Sequence, residues 1–428
     1  MNPIQKHIPR AAALCMILPA MLLVAWPGSV RAQSETGGTP GEWLMQYRTA
    51  RTLGMGGAFV ANADDPLGVL WNPAGLSAMD QNEVRLEYGH LFEDTSINGL
   101  GFAVPGSRFP SLGVLVLSMR SGEIQRTNEM NDDLGTFKDS QTAYLLTASR
   151  AFSPRFAIGA NIKVVQQSVE DFSAGGFGVD LGATYEATPS LRVGATVANI
   201  GGPSHTLRAV DETYPLVVRA GFAAQMFQGR GLFSAQLDQS SGPGLTLHAG
   251  GEYWIQPVLA LRAGYDETSA TGGFGYRFHP QYEFDYGVTD NTLGLTHRIG
   301  ISYRFSGFFA SSTSEPQVFS PTGEKAVTRF TLNARTKAAP REWTLDLRNK
   351  ADEVVRRFGG QGQPPSHIQW DGKDENGLPM PDGFYRYALV VKDAAGRVVA
   401  GPSRIIAIST GGPQGAVPMV PSAENPDK

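Results

Sequence analysis

Of the 428 residues only one is cysteine, Cys15, and it falls inside an N-terminal apolar segment. The rest of the chain can form no disulfide and no cysteine-ligated metal site, which leaves packing and hydrogen bonds to stabilise it. Charge is scarce too, at 18% of residues, and has no basic excess: the formal net charge is −4 at neutral pH. Such a chain lacks the electrostatic footprint of a nucleic-acid binder, and no nucleic-acid partner is expected. Past the N-terminal region no apolar run approaches the roughly 20 residues of a membrane-spanning helix. That excludes a helical membrane protein but not a β-barrel, whose alternating strands average to modest hydropathy. The mean hydropathy is −0.18. What is abundant is punctuation, with 51 glycines and 28 prolines, a composition that favours short extended segments over a helical bundle.

Residues 1–32 have the three parts of a secretory signal: Lys6 and Arg10, an apolar core from Ala11 to Trp26, and Val30-Arg31-Ala32 before the expected cut. Cys15 lies in the apolar core without the small preceding residue of a lipoprotein signal, so lipidation is not expected. Loss of Lys6, Arg10 and Arg31 takes the formal charge from −4 to −7.

From residue 82 to 305 the chain is a train of alternating segments. Val84-Arg85-Leu86-Glu87-Tyr88 and Tyr282-Glu283-Phe284-Asp285-Tyr286 put apolar residues on one parity and charge on the other. Since strand side chains alternate faces, each segment has one apolar and one polar face. About fourteen strands are expected, starting near residues 82, 96, 111, 141, 155, 176, 191, 214, 232, 245, 258, 271, 282 and 295. With the first strand running outward, the outer connections include long polar ones at 122–140, 168–175 and 201–213. The inner ones, such as Ser153-Pro154, Gln256-Pro257 and His279-Pro280-Gln281, are tight. An even strand number with short turns at one end and longer loops at the other is the pattern of an outer-membrane barrel. The expected fold is therefore all-β, a 14-stranded antiparallel transmembrane barrel. Its polar parity, including Arg85, Glu87, Lys163, Asp180, Arg192, Arg219, Glu252, Arg262, Arg277 and Asp285, would line the lumen in mutually paired charges. Tyrosines near strand ends, such as Tyr88, Tyr253, Tyr276 and Tyr303, would form interfacial girdles against outer-membrane lipid.

Residues 33–81 are expected to plug the lumen. Gly54, Gly56 and Gly57 permit close backbone approach, and Asn72-Pro73-Ala74-Gly75-Leu76 opens on a turn dipeptide. As a dinucleotide motif the glycines are weak, lacking a preceding strand and a third spaced glycine. The segment from Arg51 to Ser77 resembles the N-terminal hatch of the FadL-type long-chain fatty-acid transporter superfamily, and more closely its PorV/PorQ branch. The resemblance covers about residues 42–305 and implies a fourteen-stranded barrel plugged by its N-terminal segment. It implies two roles: a conduit for long-chain hydrophobic compounds, or, as in PorV-like members, a non-enzymatic part in protein secretion or surface assembly. The second is preferred on sequence, the first being the alternative. A conduit would place an apolar ligand pocket at the hatch, with Phe59, Leu67, Leu70 and Trp71 as candidate contacts. The plainer reading is that these four only pack the plug.

After residue 305, a serine-rich stretch (306–316) reads as a linker. Short strands with turn signals then fill 317–409, as in a small Ig-like β-sandwich. Trp370-Asp371-Gly372-Lys373-Asp374 and Pro381-Asp382-Gly383-Phe384-Tyr385 resemble the signature of the FlgD-type Ig-like domain. This domain is expected in the periplasm, where it suits docking to a periplasmic or secreted protein. Residues 410–428 read as a disordered tail. Asp371, Asp374 and Glu375 invite a calcium reading, but an EF-hand register would put Lys373 at a ligand position, and turn-forming acids explain them better. The histidines after the signal, His90, His205, His248, His279, His297 and His367, are scattered, with no Gly-x-Ser-x-Gly element. No catalytic residues, metal or cofactor are expected.

Overall fold

The computed structural model describes residues 39–410, apart from 92, 108, 207–210, 242–243, 268, 292–293 and 323–325. The secretory signal with Cys15 and the tail beyond 410 lie outside the described residues.

Fourteen strands close into one antiparallel barrel. They are β1 (Asn82–His90), β2 (Ser96–Val104), β3 (Ser111–Arg120), β4 (Asp139–Ser153), β5 (Phe156–Val169), β6 (Phe172–Thr188), β7 (Leu191–Ile200), β8 (Val217–Met226), β9 (Gly231–Ser240), β10 (Leu245–Gln256), β11 (Leu259–Asp266), β12 (Ser269–His279), β13 (Tyr282–Asn291) and β14 (Gly294–Phe305). Each begins within four residues of its expected start. Closure is by β1 against β14, in register from Asn82↔Phe305 to His90↔His297. Every strand is then hydrogen-bonded on both sides, so no backbone polar group of the wall is left at an edge facing lipid.

Alternation along the strands sorts side chains between lipid and lumen. On β4, Leu146 is 56% exposed on the outside while adjacent Leu145 is 1% exposed inside. Connections at the end where β1 starts are tight. At the other end, 121–138 and 201–216 each carry a short hairpin. One expected loop is absent: residues 168–175 belong mostly to strands, because β5 runs to Val169 and β6 starts at Phe172. At the short-turn end Phe278, Tyr282, Tyr303, Phe305 and Phe102 stack in succession across the outer wall, with Tyr282 and Tyr303 centroids 4.7 Å apart. Such aromatic bodies with polar tips suit a membrane interface.

Residues 308 onward form a second compact unit. The stretch expected as a linker is instead β15 (Phe309–Glu315), paired with β17 (Thr328–Arg335), which pairs in turn with β20 (His367–Trp370). Its serines are the small inward residues of a strand: Ser312 and Ser314 are buried, and Tyr387 donates to Ser314 Oγ at 3.0 Å. The facing sheet contains β16 (Val318–Phe319), β18 (Pro340–Arg348), β19 (Val354–Gln361), β21 (Gly383–Asp393), β22 (Val398–Ala400) and β23 (Arg404–Ile408). The core between the sheets centres on Trp370, edge-on to Phe319 and Tyr385.

Candidate functional site: the hatch and the lumen wall

The N-terminal segment runs through the barrel. Thr39 to Gln46 lie beside the long connections, and Met79 to Gln81 reach the short-turn mouth. Its regular structure is brief: α1 (Glu42–Met45), α2 (Ala50–Gly54) and 3-10 turns at Gly68–Leu70 and Pro73–Ala78. Elements this short leave many backbone groups unpaired internally. The wall satisfies several of them. Gln236 Oε1 accepts from the N–H groups of Phe59 and Val60 at 2.9 and 2.8 Å. Asn161 donates to Val69 O, Arg219 to Leu70 O and Ser149 to Ala74 O, at 2.9, 3.1 and 2.9 Å. Glu87 accepts from Ala50 N–H at 2.9 Å.

The motif glycines and Asn72 have specific tasks. Gly56 has φ +63° and is wedged against Ala249 O and the Tyr265 backbone of the wall, where a side chain would collide. Gly75 is equally tight against Ala63 inside the hatch, while Gly54 and Gly57 lie against Arg262 and Arg48. Asn72 caps the second 3-10 turn by accepting from Ala74 N–H at 3.0 Å, and Pro73 occupies the first helical position, where its missing donor costs nothing. The Asn72 amide also donates to Val60 O at 2.8 Å and to Ala183 O of β6 at 3.0 Å. One side chain thus starts a turn, ties two parts of the hatch and moors it to the wall.

The hatch meets two unlike walls. Toward β1 and β10–β14 the contact is ionic. Arg85 pairs with Glu87 at 2.9 Å and Asp285 at 2.6 Å, and Arg262 with Glu252 at 2.7 Å. The hatch adds Arg51, which reaches Glu252 at 3.2 Å and its own Asp64 at 2.7 Å, and Arg48, which reaches Asp266 at 3.0 Å. Buried charges persist only when paired in this way. Toward β2–β5 the contact is mainly apolar, with Ser149 and Asn161 adding the hydrogen bonds to Ala74 O and Val69 O. A single buried cluster joins Leu44, Tyr47, Phe59, Leu67, Leu70, Trp71, Leu76 and Met79 of the hatch to Ile97, Ala103, Leu115, Leu117, Ala143, Leu145 and Val165 of the wall. It extends from Leu44 and Tyr214 near the long connections to Met79 at the short-turn mouth.

The expectation that the polar parity lines the lumen is corrected in part: the inward parity of β2 and β3, with Ala143, Leu145 and Val165 of β4 and β5, is apolar, beside the buried Thr147, Ser149, Asn161 and Lys163. Arg85, Glu87, Lys163, Asp180, Arg219, Glu252, Arg262 and Asp285 are buried inside as expected. Arg192 and Arg277 instead stand half-buried near the short-turn rim, paired with Glu186 and Glu283. Phe59, Leu67, Leu70 and Trp71 are all buried in the apolar cluster, with Phe59 and Trp71 edge-to-face at 5.9 Å and Trp71 Nε1 donating to Gly57 O. None of the four lines the cavities at the mouths. One of these, about 920 Å³ at the short-turn end, is bordered by Arg51, Asp64, Glu83, Glu252, Trp254 and Arg304. Sequence reasoning missed the hatch arginines 48 and 51, Gln236 and the apolar half of the wall. The last had a signal in the run Leu112 to Leu117, apolar on both parities.

Among the described residues, one arrangement of hydroxyl, imidazole and carboxylate is Thr246 Oγ1, 3.2 Å from His248 Nε2, with His248 Nδ1 at 2.6 Å from Asp266. Asp266 is already held by Arg48, so this group fastens the hatch. Among the described residues no cluster of three or more histidine or acidic side chains is placed to hold a metal. In the second unit Asp374 accepts from the N–H groups of Asn376 and Leu378, and Asp371 from Lys373 N–H, so these acids form turns. Hydrogen bonds from Arg357 hold the Asp346 carboxyl below its ordinary range.

No curated protein matches the chain. Among solved structures, the Pseudomonas putida toluene transporter TodX is 15% identical over 60% of this chain and 97% of its own, with a TM-score of 0.49. The CymD monoaromatic hydrocarbon channel is 16% identical over 60% of this chain and 97% of its own, at 0.47. A Pseudomonas aeruginosa FadL homologue is 13% identical over 60% of this chain and 98% of its own, at 0.45. The family described as FlgD Ig-like domain matches residues 319–395, so the second unit carries the domain that its tryptophan and aspartate turns suggested.

Proposed function

We propose that the protein is a non-enzymatic outer-membrane conduit for hydrophobic compounds, normally closed by its hatch. The observation that carries this reading is the apolar contact between hatch and β2–β5, which extends from one mouth to the other. A solute of low polarity could replace hatch side chains along most of that face at little polar cost, the bonds of Ser149 to Ala74 O and Asn161 to Val69 O being the ones it would break, whereas the opposite face is locked by buried ion pairs that are costly to part. The hatch would shift on the apolar side and stay moored on the charged side. In this reading Phe59, Leu67, Leu70 and Trp71 are displaceable packing residues rather than the walls of a standing pocket. The short-turn end is the periplasmic one, as in outer-membrane barrels generally, and the chain leaves β14 there for the Ig-like domain.

The Ig-like domain supports a second reading, a role of PorV/PorQ type in protein secretion or surface assembly. A conduit has no evident need of such a domain, whose loops and edges suit a protein partner. The two readings separate in a deletion strain. The conduit predicts impaired uptake of long-chain hydrophobes with a normal complement of surface and secreted proteins. Normal uptake with lost surface proteins would overturn it in favour of the secretion reading.

A further inference from the structure

The two stems of the connection between β7 and β8, at Pro203 and at Tyr214–Pro215, are folded inward. Both are fastened to the wall through Asn199, which sits at φ +61° in a bulge of β7. Asn199 N–H donates to Asp180 at 2.9 Å, its side-chain oxygen accepts from Lys163 at 2.6 Å, and its amide donates to Pro215 O at 2.8 Å. Lys163 is itself paired with Asp180 at 2.8 Å. Pro203 lies over Gly178 of β6, where a side chain on the glycine would meet its ring, and Tyr214 N–H donates to Pro203 O at 2.9 Å. The result is that Tyr214 points into the barrel mouth and is only 3% exposed.

Its ring fills the space that a side chain at Gly41 would need, and Gly41 has φ +75°, so only glycine fits there without strain. Trp43 Nε1 donates to Tyr214 OH at 3.2 Å. Leu44 and Tyr214 both belong to the apolar cluster that lines the hatch. A loop stem and the start of the hatch therefore cover the end of the apolar face together, and neither does so alone.

We propose that Tyr214 and the Gly41–Leu44 turn form a clasp that closes the apolar face at the long-connection mouth and must part before the hatch core can move. The clasp lies outside the ion-paired half of the lumen, so it can part while Arg48 and Arg51 remain paired. This rests on the conduit reading for its purpose but not for its existence.

A single cysteine at position 44 reports the clasp directly. Leu44→Cys is placed in a Cys15→Ser background, and the full chain is purified in detergent and labelled with a soluble maleimide. Tyr214→Ala should accelerate labelling by about tenfold or more, since local opening governs access to a buried thiol. Tyr214→Phe, which keeps the ring and loses the hydroxyl, should give a smaller acceleration. Leu76→Cys, at the other end of the hatch, should label at the same rate with or without Tyr214→Ala. Unchanged labelling at position 44 in Tyr214→Ala, or equal acceleration at position 76, overturns the clasp. Heat-modifiable mobility identifies any variant that fails to fold, in which case Tyr214→Phe alone decides. Transfer of an alkyl fluorophore into proteoliposomes is measured alongside. Faster labelling with unchanged transfer in Tyr214→Ala keeps the clasp and counts against the conduit, so the two ideas fail separately.

Discussion

Asn72 is the residue on which most local order depends. Its cap, its bond to Val60 O and its bond to Ala183 O are lost together in Asn72→Ala. Losing a cap costs about 1 kcal/mol, and a buried carbonyl left unpaired adds about 1–3 kcal/mol. The expected outcome is a hatch cleaved by protease at lower denaturant than the barrel wall. Asn72→Asp keeps the acceptor of the cap but neither donated bond, so it should fall between wild type and alanine. Equal protease resistance in all three would remove Asn72 from its mooring role. Part of this was legible beforehand: Asn72 followed by proline announces a capped turn. Its bond to β6 was not, because a contact spanning 111 positions has no local pattern.

At the scale of elements, barrel strands were readable wherever one parity was apolar and the other polar, as in β1 and β13. Where that contrast vanished, the strand's lumen-side partner or its full length was no longer legible. Both faces of β3 are apolar because one meets lipid and the other the hatch, so alternation could not announce what lies inside. The adjoining ends of β5 and β6 are mostly small or polar and largely exposed, apart from Val169 and Phe172, and that composition suggested a loop. β15 looked like a linker because its inward residues are alanine and serine. The charged strands allow a direct test. Arg85→Met leaves Asp285 short of one partner in a dry site, a class of change that costs about 3–5 kcal/mol. The midpoint of heat-modifiable mobility should drop. Adding Asp285→Leu should recover little, because Arg262 then loses its own contact with Asp285 at 2.5 Å. Full recovery in the double variant would mean that Arg85 and Asp285 act as an isolated pair and not as part of a network.

For the whole molecule, the low cysteine count and ordinary hydropathy now have one explanation. The barrel is stabilised by a closed ladder of strands and a hatch moored through buried polar contacts. Its outward apolar face and inward mixed face cancel in the average. In the proposed conduit the asymmetry of the lumen, ionic toward β1 and β10–β14 and mainly apolar toward β2–β5, separates the moored side of the hatch from the displaceable one. If solutes travel along the apolar side, fixing the hatch to that side must stop them. A side chain at Gly101 of β2 would have its Cβ 2.9 Å from Pro66 Cβ of the hatch, so with a hatch shift of under about 1 Å to the roughly 3.5–4.5 Å Cβ separation of a disulfide, Gly101→Cys with Pro66→Cys forms a reducible bridge across the seam. The decisive measurement is the rate at which proteoliposomes bearing this variant take up a long-chain alkyl probe, oxidised and then reduced. The account predicts wild-type transfer when reduced and transfer near that of protein-free liposomes when oxidised. Equal rates in the two states, or no transfer by the wild type, would contradict it.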